Sequence, residues 1–171
     1  QTTSFRLNEY RIRMELFQRG LKVIEHLHLS RMPGEQGLIY IDALAYDPTY
    51  FRGTGHALKA RLDGARGGVV DSGAGCELVY ASPFEEAKLN IGDYPAMKNV
   101  GGLFPIGEGF TEARDLEAVN GRVRVFVFGD TSFRANRPVE PITMIVERGR
   151  VVGAEHSTPA FDEMLAIIRA H

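Results

Sequence analysis

The sequence predicts an α+β fold: a mainly antiparallel curved sheet flanked by helices, with a helical N-terminal segment. Three observations carry this. From Val69 onward the chain is a series of short apolar runs broken by glycine and proline, two of the connections are short enough for hairpins, and the run of strands ends in one amphipathic helix. The organisation expected is a helical and strand segment over residues 1–53 packed on a main α+β domain over residues 54–171. A chain of 171 residues suffices for one compact domain with a sizeable core.

Met14, Phe17, Leu21 and Ile24 recur at spacings of three and four, with Arg11, Arg13, Glu15, Arg19 and Lys22 mostly on the other side. This predicts a helix up to Gly20. The continuation Val23 to Leu29 reads equally as a strand, with Leu27 and Leu29 on one face and His26 and His28 on the other. Two imidazoles two residues apart on a strand share a side and could hold a metal; with no third ligand in view they read as half-exposed strand histidines. Pro33-Gly34 opens a loop, Leu38-Ile39-Tyr40-Ile41 is a short strand or buried turn, and Asp42 to Tyr50 is a helical turn broken before Pro48. Thr54 is placed to cap a helix that buries Leu58, Leu62 and Ala65 and ends at Gly64 and Gly67-Gly68.

Val69 to Ser72 and Cys76 to Ala81, joined by Gly73-Ala74-Gly75, predict a hairpin in which Cys76, Leu78 and Tyr80 share a face. Those glycines are a turn and not a phosphate cradle, because neither a helix nor a Gly-Lys-Ser/Thr follows. Ala87 to Ile91 is a further short strand, stopped by Gly92-Asp93-Tyr94-Pro95. Asn120-Gly121 is a two-residue hairpin signal before the strand Arg122 to Phe128. Ile142 to Glu147, the turn Arg148-Gly149, and Arg150 to Glu155 form a second hairpin. Thr158-Pro159 caps a closing helix whose Phe161, Met164, Leu165 and Ile168 fall on one face, with Asp162 and Glu163 complementing the helix dipole.

Between these strands, the segment Gly101 to Ala113 sets Glu108 between Gly107 and Gly109, just after Pro105. A permissive backbone here presents one carboxylate at an element boundary, so Glu108 is the candidate functional side chain, against the alternative of an ordinary turn.

The formal charge of -2 and the absence of any basic stripe offer nothing to nucleic acid or to an anionic membrane. Cys76 is the single cysteine, which excludes an internal disulfide and a cysteine-based zinc knuckle and suits a cytoplasmic setting. No apolar stretch reaches membrane-spanning length, and no apolar leader follows Gln1. The missing initiator Met is what a processed product or an excerpt would show.

The order Gly75-Cys76-Glu77-Leu78-Val79-Tyr80, the Gly92-Asp93 turn, Phe104 to Glu112, Val119-Asn120-Gly121 and Val146 to Val152 resembles the aminopeptidase T family of metallopeptidases over residues 54–170. The resemblance implies that Glu108 is a carboxylate ligand to a pair of divalent cations, zinc, cobalt, manganese or magnesium. It implies a peptide or small-molecule substrate and a homodimer. Gly109 stands where the family usually has Val. The family's other ligands, a second Glu, a His, a Tyr and a His-x-Asp pair, lie beyond the element that ends here at His171, and His156 matches none of their motifs. Three readings follow: a fragment or divergent member of a metal-dependent aminopeptidase, in which two metals generate hydroxide and polarise a peptide carbonyl; a binding or dimerisation module that kept the fold without the chemistry; and a relative of ring-cleaving dioxygenases that bind non-haem iron.

Overall fold

A computed structural model of the chain describes residues 10–25, 34–95, 101–103, 106–132 and 134–170. In chain order the elements are α1 (Tyr10–Gln18), β1 (Val23–Glu25), α2 (Gly37–Ala43), α3 (Pro48–Gly64), β2 (Gly68–Asp71), β3 (Glu77–Tyr80), β4 (Lys88–Asn90), β5 (Gly101–Leu103), β6 (Glu108–Phe110), β7 (Val119–Val125), β8 (Phe128–Gly129), β9 (Ala135–Asn136), β10 (Ile142–Glu147), β11 (Arg150–Glu155) and α4 (Pro159–Arg169). The class is α+β, as the sequence predicts. The chain divides into two compact units, Gln1–Leu62 with Ala87–Thr111 and Asp63–Glu86 with Glu112–His171. Among the described residues no helix is long and apolar enough to cross a membrane.

The second unit is organised by one open five-stranded sheet in the order β11-β10-β7-β3-β2, with every neighbouring pair antiparallel. Both predicted hairpins are present. Arg148 and Gly149 turn the second one with φ of 50° and 74°, the left-handed pair that matches strand twist in a two-residue loop. Alternation sends Val123, Val125, Ile142, Met144 and Val146 to one face, where they meet α4 and the β3 side chains in two clusters that share Val151. Phe161 and Ile142 are the most deeply buried large side chains, and Phe161 packs edge-on against Phe128 with ring centroids 5.0 Å apart. Burying side chains of this size stabilises by roughly 1.5 to 3 kcal/mol each. The helix starts as predicted, with Pro159 in its first turn and the Thr158 hydroxyl accepting from the Phe161 N–H. Ile168, expected on the buried face, is 63% exposed; the helix packs on the sheet through Phe161 and Leu165.

Asn120-Gly121 is not a turn but part of β7. Gly121 has φ 128°, and a β-carbon there would lie 2.2 Å from the Glu77 carbonyl oxygen. The glycine is required by close backbone approach in the sheet, a use of glycine that the same dipeptide cannot distinguish from a hairpin. Cys76 is buried but, unlike the shared face expected, stands apart from the cluster holding Leu78 and Tyr80, since it precedes the strand at the end of the turn.

The first unit has shorter elements. Its β1 and β5 pair in parallel and its β4 and β6 antiparallel, each as a two-stranded ladder. Leu38-Ile39-Tyr40-Ile41 is helical, not a strand: four apolar residues fit either period, and here only Tyr40 is buried. Helix α3 begins six residues before Thr54, at Pro48, because the Asp47 carboxylate accepts from the N–H groups of Thr49 (2.9 Å) and Tyr50 (3.2 Å). Thr54 is therefore interior, and Leu58, expected inside, is about half exposed.

Candidate functional site

Glu108 opens β6 directly opposite Asn90 of β4, so the predicted turn is a short strand. Its register is held by the Gly107 N–H, which donates to the Asn90 carbonyl at 3.1 Å. The segment after β4 is tied down in turn. The Tyr94 hydroxyl donates to the Asn90 side-chain oxygen, the Tyr46 hydroxyl donates to the Ile91 carbonyl (2.5 Å), and Arg52 bonds both the Tyr46 oxygen (3.1 Å) and the Gly92 carbonyl (3.1 Å). Burial, reinforced by the neighbouring Tyr46, pushes the Tyr94 phenol above its ordinary range, so it stays a neutral donor.

The Glu108 carboxylate is exposed, and none of the hydrogen bonds or ion pairs among the described residues engages it. A two-metal centre needs several protein donors converging on each ion. Among the described residues no three His, Cys, Asp or Glu side chains converge. His26 and His28, like Phe104 and Pro105, lie outside the described residues. His156 belongs to the second unit, whereas Glu108 belongs to the first.

A second polar constellation is built on the other face of the five-stranded sheet. Thr143 in β10 is the register partner of Arg124 in β7 and of Glu155 in β11, so the three form a row across three strands. Arg122, two residues from Arg124 and on the same face, makes an ion pair with Glu155. The His156 Nδ1 lies 3.1 Å from a Glu140 carboxylate oxygen, and His156 has φ 55°, an uncommon backbone conformation for a side chain of its size. With both partners more than half exposed, this pair adds little stability.

The turn between β2 and β3 completes the wall. The Arg124 N–H donates to the Ser72 hydroxyl oxygen (3.0 Å), its Nη1 donates to the Ser72 carbonyl (3.3 Å), and its guanidinium lies 5.0 Å over the Phe126 ring. The Ser72 hydroxyl donates to the Cys76 carbonyl (2.9 Å), and the Asp71 carboxylate accepts from the Gly73 N–H (2.8 Å). Beside this turn lies an open cleft of about 360 Å³, lined by Ala74, Arg122, Arg124, Glu140, Glu155 and His156 together with buried Cys76 and Thr143. Chemically the cleft offers guanidinium, hydroxyl and imidazole groups for recognition. A larger hollow in the same unit, between α4 and β11, is lined mainly by apolar side chains such as Met144, Val151 and Met164.

Sequence reasoning pointed to Glu108 and passed over the cleft. The available signal was the alternation Arg122-Val123-Arg124-Val125, which puts two cations on one face of a strand; Thr143 and Glu155 reach them only through strand register. No family model matches the chain, and no curated protein or solved structure matches it.

Proposed function

We propose that the chain acts as a ligand-binding module whose site is the cleft around Arg122, Arg124 and Thr143. One observation carries this reading: side chains from the 72–76 turn, β7, the 140–143 segment and the end of β11 converge on a concave polar surface whose floor residue Thr143 is only 5% exposed. Its volume lies near the lower end of the range for small-molecule sites, which favours a small molecule over a peptide. Backbone amide NMR of the full chain against a library of small neutral and charged fragments tests it. The expected result is saturable shifts at Thr143, Arg124 and His156; a library that moves none of these amides would overturn it.

The exposed carboxylate of Glu108 favours a second reading, in which the chain supplies one ligand of an aminopeptidase T-like metal site whose other ligands lie outside it. Calorimetric titration with zinc, cobalt and manganese is the test. That reading expects weak or undetectable binding by this chain alone, and tight binding lost in Glu108→Ala would show that residues of this chain complete the centre.

A further inference from the structure

Resting on the reading of the cleft as a binding site, we infer that its ligand carries a small oxyanion, a carboxylate or a phosphate, held between the Arg124 guanidinium and the Thr143 hydroxyl. The charges around the cleft decide which group is available. Glu155 is taken by Arg122, and Glu140 faces His156. Arg124 has no acidic partner among the described residues. Its side chain donates from one nitrogen to the Ser72 carbonyl, which leaves most of its N–H donors uncommitted, and the guanidinium lies over the Phe126 ring. A half-buried cation aimed by a stack and a carbonyl has lost much of its freedom before any ligand arrives, so binding orders little more.

Thr143 supplies the second, independent observation. The residue is only 5% exposed, and among the described residues no hydrogen bond to its hydroxyl is present. A buried hydroxyl without a partner costs free energy, and an arriving acceptor removes that cost. Thr143 lies opposite Arg124 in register and both side chains line the cleft, so an anion bound there meets the hydroxyl and the guanidinium from neighbouring strands. The planar fork of arginine matches a carboxylate or a phosphate, which a lone ammonium does not.

The test is titration of the full chain with inorganic phosphate and, separately, with acetate, at constant ionic strength set with sodium chloride, read by amide NMR. At least one anion should give saturable shifts at Thr143 and Arg124, and whichever binds more tightly identifies the source of the oxyanion. Thr143→Val, which keeps the shape and removes the hydroxyl, should weaken that binding about tenfold while leaving the melting temperature unchanged or higher, because no partner is orphaned. Arg124→Gln should abolish it, and Arg124→Lys should recover only part, with the amide spectrum verifying the fold of each. If neutral fragments move the cleft amides but neither anion does, the oxyanion assignment fails while the module reading stands. Equal anion affinities in the wild type and Thr143→Val would also overturn the assignment.

Discussion

The second unit joins five strands into one sheet and lays a capped helix across its apolar face, whereas the first unit relies on short helices and two ladders of two strands each. The difference is visible in burial. In the second unit Ile142, Phe161 and Leu165 are buried and contiguous, while in the first Leu38, Ile39, Ile41 and Leu58 all stand at least about half exposed. A two-stranded ladder is marginal by itself and needs further strands or a helix on its face to become stable. The contrast leads to the expectation that stability follows the number of strands joined in one sheet. The polar cleft stands on the five-stranded sheet. Glu108 stands on one of the short ladders.

The sharpest way to break this comparison is Gly121→Ala. The added methyl would sit 2.2 Å from the Glu77 carbonyl oxygen at φ 128°, in the strand at the centre of the sheet. Backbone strain and overpacking together should cost roughly 4 kcal/mol or more. A urea midpoint near that of the wild type would show that the centre of the sheet yields easily and that the second unit is no firmer than the first.

Next in size, Leu165→Ala should cost roughly 2 to 5 kcal/mol, the range for truncating a buried leucine. Leu58→Ala, at a half-exposed position of α3, should stay within about 0.5 kcal/mol. Equal shifts in the denaturation midpoint for the two would erase the distinction. Thr158→Ala removes the hydroxyl that accepts from the Phe161 N–H and should cost about 1 kcal/mol. If Thr158→Ser restores stability and Thr158→Ala does not, the loss belongs to the cap and not to packing.

The smallest effect is electrostatic. Asp130 accepts from the Asn136 side chain (3.1 Å) and from the N–H groups of Arg134 (3.0 Å) and Ser132 (2.8 Å). The Asn136 bond foremost, then that from Arg134, holds its carboxyl below the usual aspartate range. A folded-state pKa below the unfolded one means that the contribution is complete above the ordinary aspartate value and is lost as pH falls through the folded value. The amides of Ser132 and Arg134 should therefore titrate with a midpoint below that of an unstructured aspartate. A midpoint at or above the unstructured value would mean that these bonds do not favour the ionised form.

Most of the second unit was legible because its elements are long enough to show a period and carry local punctuation. The β10–β11 hairpin has its turn pair, and α4 has Thr158-Pro159 at its start. The first unit was harder to read. Leu38 to Ile41 is too short to separate a helix from a strand, and the cap of α3 is Asp47, hidden behind a proline that looked like an ending. At the sites, local pattern singled out Glu108 because glycines frame it, but exposure on a ladder gave it no companions among the described residues. The cleft left only a faint trace, two arginines at strand spacing.

By itself, then, the sequence determined the fold class, the two hairpins and the closing helix, because each depends on residues a few positions apart whose spacing selects a backbone conformation and a face. Tertiary structure alone decided that Asn120-Gly121 lies inside a strand, and that Arg124, Thr143 and Glu155 form one row. Periodicity assigns a side chain to a face, but only strand pairing and register determine which side chains from distant segments stand next to one another on it.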